Sequence, residues 1–193
     1  FISIFEHIGK YFDLMFKTLR SFRTWHLYLD SIPDHIFSLG IASLPIVIFT
    51  GLFSGMVTAV QAAYQFESGL IPTWYVGGIV GEAVLLELGP MITGLVMTGR
   101  VGATIAAELG TMRVSEQIDA LETLSFDPVS FLVMPRIVAC AIMFPVMIIF
   151  ADLFGIIGGY LAALSFMDVT SFDFIRGLKS WFRPWSAIFG LIK

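Results

Sequence analysis

Three long runs of apolar residues, separated by more polar stretches, dominate the pattern of this chain. The first covers residues 36–64 and has no charged side chain, the second covers 75–109, of which the part up to Thr98 is apolar, and the third covers 129–166. A helix needs about 20 residues to cross the hydrocarbon core of a bilayer, so each run predicts a membrane-spanning helix. Asp152 divides the third run into two halves that are too short to span, which favours one long helix over two.

A different pattern, with apolar residues every three or four positions, occupies residues 1–30. This spacing places apolar side chains on one face of a helix, and Lys10, Lys17 and Arg20 lie on the opposite face. The polar face is too large for a spanning helix, so we predict an interfacial helix that lies in the headgroup plane. A soluble helix packed on a core is the alternative, although the chain offers no soluble core. The apolar face comprises Phe1, Phe5, Ile8, Phe12, Met15, Leu19 and Phe22.

A short amphipathic segment, residues 110–127, lies between the second and third spans. It is too polar for the bilayer centre, and Arg113 is expected to reach Glu116 or Gln117 one turn further on. The segment is predicted to be a helix that lies on the membrane or one that inserts into a groove of a partner protein. Its apolar face consists of Val114, Ile118 and Leu121.

Two segments follow the third span. Residues 168–185 are polar and aromatic, and Phe174, Leu178 and Trp181 share one helical face, which predicts a second interfacial segment on the external side. Residues 186–193 are typical of the start of a further span, so we expect the sequence to be cut short at this point.

The composition agrees with a membrane protein. Hydrophobic residues make up 57% of the 193 positions and charged residues 13%, whereas a soluble domain has about 25% charged residues. The predicted fold class is therefore an all-α integral membrane protein. One cysteine and three histidines without metal-ligand spacing predict no metal site, and the absence of charge runs argues against a nucleic-acid partner.

Basic residues are distributed unevenly between the loops. Four precede the first span, three lie between the second and third spans, and the loop between the first two spans has none. Because cytoplasmic loops carry an excess of Lys and Arg, the N-terminus and residues 99–128 are predicted to be cytoplasmic. Three basic residues after the third span would then be external, against the same tendency.

Glu87 is the sharpest candidate for a functional residue within the spans. A carboxylate at the bilayer centre costs about 2.5–3.5 kcal/mol and by default marks a functional site. Pro90 cannot donate to the carbonyl of Leu86, so we predict a distorted turn, which at this depth is tolerated only against protein or a wet cavity. The hypothesis is that Glu87 faces a substrate cavity. The alternative is a protonated, hydrogen-bonded glutamate that only ties helices together.

Four further charged residues lie in or beside the spans and are assigned structural roles. Glu82 lies nearer the outer interface, and Asp152 has no partner within its own turn. Arg100 and Glu108 are too far apart to pair, about 12 Å along a helix axis, so each needs another segment or water.

Prolines and glycines predict local helix geometry. Pro45 and Pro145 are expected to kink the first and third spans. Gly51 and Gly55 form a small-residue pair that allows close helix approach, either within one subunit or between two copies.

No ATP-binding motif occurs, since the pattern G-x-x-x-x-G-K-[ST] is absent. If the chain moves a substrate uphill, the energy comes from a partner or from an ion gradient. One possible function is therefore an ion-coupled carrier with Glu82, Glu87 and Asp152 as a proton relay. Another is a passive membrane anchor for a complex.

An ordered series of motifs resembles the MlaE-type permease family. The series covers most of the chain from the first span onwards and is more specific than any one of its parts. Leu86 stands where some family members have arginine. The motifs are Gly51, Gly55-Met56-Val57, Gln61, Leu86-Glu87-Leu88-Gly89-Pro90, Gly99-Arg100-Val101-Gly102, Ala107-Glu108-Leu109-Gly110, Met112-Arg113, Glu116-Gln117-Ile118-Asp119-Ala120-Leu121-Glu122, Asp127-Pro128 and Pro135-Arg136.

The resemblance implies a homodimeric, multi-pass permease subunit of an ABC transporter in the bacterial inner membrane, which moves phospholipid or a related lipid between the inner and outer membranes. It implies a cytoplasmic ATPase that binds ATP and magnesium, a periplasmic MCE-domain protein, often a STAS-domain protein, and no cofactor in this chain. It also implies further spans beyond this sequence. The residues that would contact lipid are Glu87, Leu86, Pro90 and Gly55. Residues 110–127 would form the coupling helix on the ATPase through Arg113, Glu116, Gln117, Asp119 and Glu122.

Overall fold

All regular structure in the described residues is helical. The computed structural model describes residues 2–21, 31–66, 72–125, 127–166 and 169–193. The predicted all-α fold class is confirmed for this part of the chain. The helices are α1 (Ile2–Ser21), α2 (Ile32–His35), α3 (Leu44–Gln65), α4 (Tyr75–Ala83), α5 (Gly89–Val114), α6 (Gln117–Thr123), α7 (Pro128–Phe166), α8 (Ser171–Trp181) and α9 (Pro184–Ile192).

Three helical stretches in the described residues are long and apolar enough to cross a membrane: Ile32–Gln65, Tyr75–Val114 and Pro128–Phe166. The third is a single helix of 39 residues that continues past Asp152, as predicted. The first begins earlier than predicted because Pro33 lies in the first turn of α2, where a missing backbone N–H costs no helical hydrogen bond.

Two of the spans contain π turns close to a proline. The π turn Ile36–Gly40 and a 3-10 turn precede α3, in whose first turn Pro45 lies. The π turn Val84–Leu88 ends two residues before Pro90. The distortions predicted near these two prolines are therefore present, because a proline withholds one helical N–H donor. Helix α7 stays one helix through Pro145, and the kink expected there stays a prediction.

The chain forms two compact units. The first contains residues 1–42 and 101–143, and the second contains residues 43–100 and 144–193. Helices α5 and α7 each contribute residues to both units. The first unit includes α6, and the second includes α3, α4, α8 and α9.

Close contact between α3 and α7 organises the second unit. Gly51 and Gly55 are buried, and a Cβ atom added to either would collide with the α7 backbone at Ala151 or Gly155. Such contact between helix backbones is possible only where side chains are small. The small-residue pair, for which the sequence allowed two interpretations, therefore packs within one chain.

Helix α8 packs along α4. Of three residues that the sequence places on one face, Leu178 and Trp181 fit their side chains against glycines of α4, and Phe174 brings its backbone against a third. Phe174 is buried and joins a core of apolar side chains from α3, α4 and α7. The segment predicted to be interfacial, residues 168–185, thus contains a helix packed on the second span, and its position at the external interface stays a prediction. The glycines are Gly77, Gly78 and Gly81.

Helix α1 exposes its aromatic face. Phe5 and Phe12 are 72% and 67% exposed, as an interfacial helix requires. Its predicted contact with lipid stays a prediction, and residues 22–30 lie outside the described part. Exposed ion pairs, each worth about 0–1 kcal/mol, form on the polar side between Glu6 and Lys10 and between Asp13 and Lys17.

Candidate functional site

A groove with a volume of about 680 Å³ lies beside α3 in the second unit. Pockets that bind small molecules have volumes of about 300–1,000 Å³. Most of the lining comes from α3, and Ile79, Leu88 and Ile92 complete it from α4, the second π turn and α5. Because α3 belongs to the first span, this groove lies in a membrane-spanning part of the chain.

Helix α3 presents a line of polar side chains to the groove, which we call the polar line. Its members follow one another every three or four residues, so they share one helix face. The hydroxyls of Thr50 and Thr58 donate to carbonyl oxygens of the preceding turn at 2.8 Å. Except for Gln61, the sequence analysis does not select these residues, because it looks for charged side chains in the spans. Their regular spacing is the signal that could have identified them. The polar line consists of Thr50, Ser54, Thr58, Gln61 and Gln65.

Aromatic and aliphatic side chains line the groove next to the polar line. The rings of Phe49 and Phe53 are 4.6 Å apart between centroids, and Val57 continues the apolar surface by one more turn. The groove therefore offers an apolar surface and hydrogen-bonding groups along the same helix. This arrangement suits an elongated amphipathic molecule, because each part of it finds a matching surface.

Glu87 lies next to the groove in the chain but does not line it. Its side chain is exposed, and it is carried by the π turn Val84–Leu88, whose last residue does line the groove. Single π turns inside helices are frequent at functional sites. The expected burial of this carboxylate is not provided by the described residues, so its role in a cavity stays a prediction.

The other predicted substrate residues lie outside the groove lining. Leu86 is half-buried, and Pro90 is buried close to Gly190 of α9. Gly55 is buried in the contact between α3 and α7. The positions of Pro90 and Gly55 are therefore explained by helix packing, and they do not support contact with a substrate.

Asp152 is buried in the second unit, with 7% of its surface exposed. Its Oδ1 atom has no hydrogen-bond partner among the described residues and lies against Gly89, where an added Cβ atom would overlap it. Gly89 directly follows the π turn that carries Glu87. The approach of Asp152 thus explains why a glycine stands at this position.

The predicted coupling segment 110–127 contains the end of α5, a turn and the exposed helix α6, which has no buried residue. Residues with left-handed backbone conformation flank α6 on both sides: Glu116 has φ 56° and Ser125 has φ 63°. Residues other than glycine rarely adopt this conformation. Two sharp turns therefore hold α6 between α5 and α7.

The predicted coupling residues lie on the surface of this segment. Arg113 pairs with Asp119 at 2.5 Å and not with Glu116 or Gln117, because the left-handed residue at position 116 ends the helical path of α5. Both partners are more than half exposed, so the pair contributes about 0–1 kcal/mol. Glu116, Gln117 and Glu122 are exposed as well.

Glu108 finds its partner in another segment, as its distance from Arg100 predicts. Arg136 of α7 donates from Nη2 to Glu108 Oε2 at 3.0 Å and from Nη1 to the carbonyl oxygen of Leu132 at 2.7 Å. The side chain of Arg136 is 5% exposed and that of Glu108 is 35% exposed. Truncation of Glu108 would leave the buried Arg136 without both its hydrogen-bond acceptor and its counter-charge, which is strongly destabilising.

The remaining polar candidates lie elsewhere. Arg100 is exposed on α5, and Glu82 lines a cavity of about 10 Å³ together with Trp181. The side chains of His7 and His26 lie outside the described part. Among the side chains that are described, no cluster of His, Cys, Asp and Glu could hold a metal ion.

Comparison with known proteins gives consistent matches. The model of the family described as Permease MlaE matches residues 32–193. A Rickettsia felis protein named probable ABC transporter permease protein is 38% identical over 192 residues, which cover 100% of this chain and 74% of that protein. A Synechocystis protein, likewise named a probable ABC transporter permease protein, is 36% identical over 156 residues, 80% of this chain and 59% of that protein.

A plant protein is also similar. The Arabidopsis thaliana protein named TRIGALACTOSYLDIACYLGLYCEROL 1, chloroplastic, is 33% identical over 155 residues, which cover 80% of this chain and 44% of that protein. The family match includes the three apolar helices, the groove and α6. The chain is therefore an ABC transporter permease that belongs to the MlaE family.

Proposed function

We propose that this permease moves phospholipid, or a related lipid, between the inner and outer membranes of a bacterium, with energy from a partner ATPase. The observation that carries the proposal is the groove beside α3, which combines an aromatic surface with the polar line inside a membrane span. The similarity to the Arabidopsis protein, which is named after a galactolipid, supports a lipid as the substrate class.

In this proposal the polar line binds the lipid headgroup. An acyl chain gains little on leaving the bilayer for an apolar groove, because lipid tails are as apolar as the side chains that would replace them. A polar headgroup in the membrane interior costs several kcal/mol, roughly 2–7 for each unsatisfied amide or hydroxyl. Hydroxyl and amide groups such as Thr58 and Gln61 offset that cost while Phe49 and Phe53 hold the acyl chains.

Glu87 would act at the edge of the groove. Its carboxylate is exposed one residue from Leu88, which lines the groove. A carboxylate at this place pairs with the amine of a zwitterionic headgroup by a charge-assisted hydrogen bond. We propose that a second copy of the chain encloses this site in a homodimer.

Helix α6 would couple ATP hydrolysis by the partner to movement of the permease. An exposed helix between two sharp turns suits the recognition mode in which a helix lies in a groove of its partner, here a cytoplasmic ABC ATPase that binds ATP and magnesium. The turn at Glu116 connects α6 to α5, which is continuous from Gly89 to Val114. Displacement of α6 would therefore act directly on a membrane-spanning helix.

The remaining components of the proposal follow from the family resemblance. They are location in the bacterial inner membrane, a periplasmic MCE-domain protein that accepts or delivers lipid, and a STAS-domain protein on the cytoplasmic side. The exposed aromatic face of α1 supports an interfacial position for that helix.

Substitution of Glu87 tests the role of this site. In the complex with its ATPase, reconstituted in vesicles, Glu87→Ala should lower ATP-dependent lipid movement about tenfold, since a hydrogen bond to a charged group is worth about 1.5–3 kcal/mol. Lipid movement is measured with a fluorescent phospholipid. Glu82→Ala, which removes a carboxylate of the same span outside the groove, should leave the rate within about twofold. Unchanged lipid movement by Glu87→Ala at equal protein levels would reject the assignment.

A further inference from the structure

The ion pair between Glu108 and Arg136 lies at the base of the segment that carries α6. Glu108 stands near the end of α5, and Arg136 stands near the start of α7. The pair joins residues 28 positions apart, and both belong to the first unit. It therefore closes a loop that contains the turn at Glu116, α6 and the turn at Ser125.

This pair differs from the ion pairs Glu6–Lys10, Asp13–Lys17 and Arg113–Asp119, in which both side chains are more than half exposed. The guanidinium of Arg136 is buried, and its second hydrogen bond, to Leu132, holds it in place on its own helix. Arginine presents its donors in a rigid planar fork, and salt screens a buried pair only weakly. His35, from the start of the first span, is near enough to interact electrostatically with both partners.

A loop held only by its two turns would absorb the displacement of its central helix. The backbone conformation of the turns at Glu116 and Ser125 would change. The end of α5 and the start of α7 would then either stay in place or move apart. A charge-assisted hydrogen bond across the base of the loop, with a buried donor, opposes that separation. Displacement of α6 is then transmitted to both spanning helices.

We infer that Glu108 and Arg136 are positioning residues that clamp the two ends of the ATPase-docking segment, so that α5 and α7 move as one when α6 is displaced. The inference rests on the proposed function, because it requires an ATPase that acts on α6. The clamp contacts neither substrate nor nucleotide. Its effect is on the amount of lipid moved for each ATP hydrolysed.

The experiment uses the whole complex in vesicles and measures ATP hydrolysis and lipid movement on the same sample. Glu108→Gln should keep ATP hydrolysis within about twofold, while the ratio of lipid moved to ATP hydrolysed falls about tenfold, within the range by which two sites are commonly coupled. The charge-exchanged double variant, Glu108→Arg with Arg136→Glu, should recover at least half of the wild-type ratio. Glu6→Gln, which breaks an exposed ion pair, should have the wild-type ratio.

Each result of this experiment either supports or contradicts the clamp. A wild-type ratio in Glu108→Gln, or an equal loss of hydrolysis and lipid movement, would overturn the clamp. If Glu108→Gln fails to assemble, the double variant decides: assembly with a recovered ratio supports the clamp, and failure to assemble or a low ratio contradicts it. If the wild-type complex moves no lipid with ATP, the proposed function fails and the clamp with it, whereas failure of the clamp alone leaves the wild-type complex active.

Discussion

Replacing Thr58 with tryptophan is expected to reduce ATP-dependent lipid movement by about tenfold or more. Thr58 lies on the polar line, and the indole ring would occupy the groove beside α3 while removing a hydroxyl group from it. Overfilling a fitted site costs about 1–3 kcal/mol, and each 1.4 kcal/mol is a factor of about ten in an equilibrium constant. The rate of transfer of a fluorescent phospholipid between vesicle populations measures the effect.

A matched control places the same bulk outside the groove. Leu161 is 44% exposed on α7 and does not line the groove, so Leu161→Trp should transport lipid at the wild-type rate. Equal rates for Thr58→Trp and the wild-type protein, at equal amounts of assembled complex, would show that lipid does not use this groove.

Gly55→Leu is expected to have the largest effect on stability. The new side chain would overlap the carbonyl oxygen of Gly155, and a helix backbone cannot move aside as a flexible side chain can. The cost is expected at or above the upper end of the usual range for overpacking, about 1–3 kcal/mol. Thermal unfolding in detergent, followed by circular dichroism, should show a lower midpoint temperature or no folded protein.

Gly94 provides the control for this substitution. It lies in α5, and nothing would lie within 4 Å of a Cβ atom added there. Gly94→Leu should therefore unfold at the wild-type temperature or slightly above, because leucine favours a helix by up to about 1 kcal/mol relative to glycine. A stable Gly55→Leu protein would mean that α3 and α7 do not approach as closely as described.

The features that were predictable from the sequence depend on local chemistry. The three spans follow from the length of the apolar runs, and the distortion before Pro90 follows from the missing N–H of proline. The need of Glu108 for a partner from another segment follows from its distance to Arg100 along a helix. None of these requires knowledge of how helices are arranged.

The features that the sequence did not reveal depend on contacts between distant segments. The period of α8 is the same whether its apolar face contacts lipid or the glycines of α4, and only the fold distinguishes the two. The partner of Arg113 is Asp119 because the chain turns at Glu116, where an unusual backbone conformation leaves no clear mark in the sequence.

The candidate site also contains residues that were not predicted from the sequence. A search for charged residues in the spans finds Glu87 and Asp152 but misses the polar line, since a threonine or glutamine in a membrane span is not unusual by composition. In the proposed homodimer, residues of a second copy would enclose Glu87, and the sequence of one chain does not specify them. Gly55 belongs to the family motif but packs against α7.

The source of energy tests the central proposal most directly. The purified complex is reconstituted in vesicles with a fluorescent phospholipid, and lipid movement is measured with ATP alone, with a proton gradient alone, and with an ATPase subunit inactivated in its nucleotide site. Lipid should move with ATP alone and stop when the ATPase is inactive, whatever the proton gradient. Lipid movement that follows the proton gradient and persists with the inactive ATPase would contradict the proposal and favour an ion-coupled carrier.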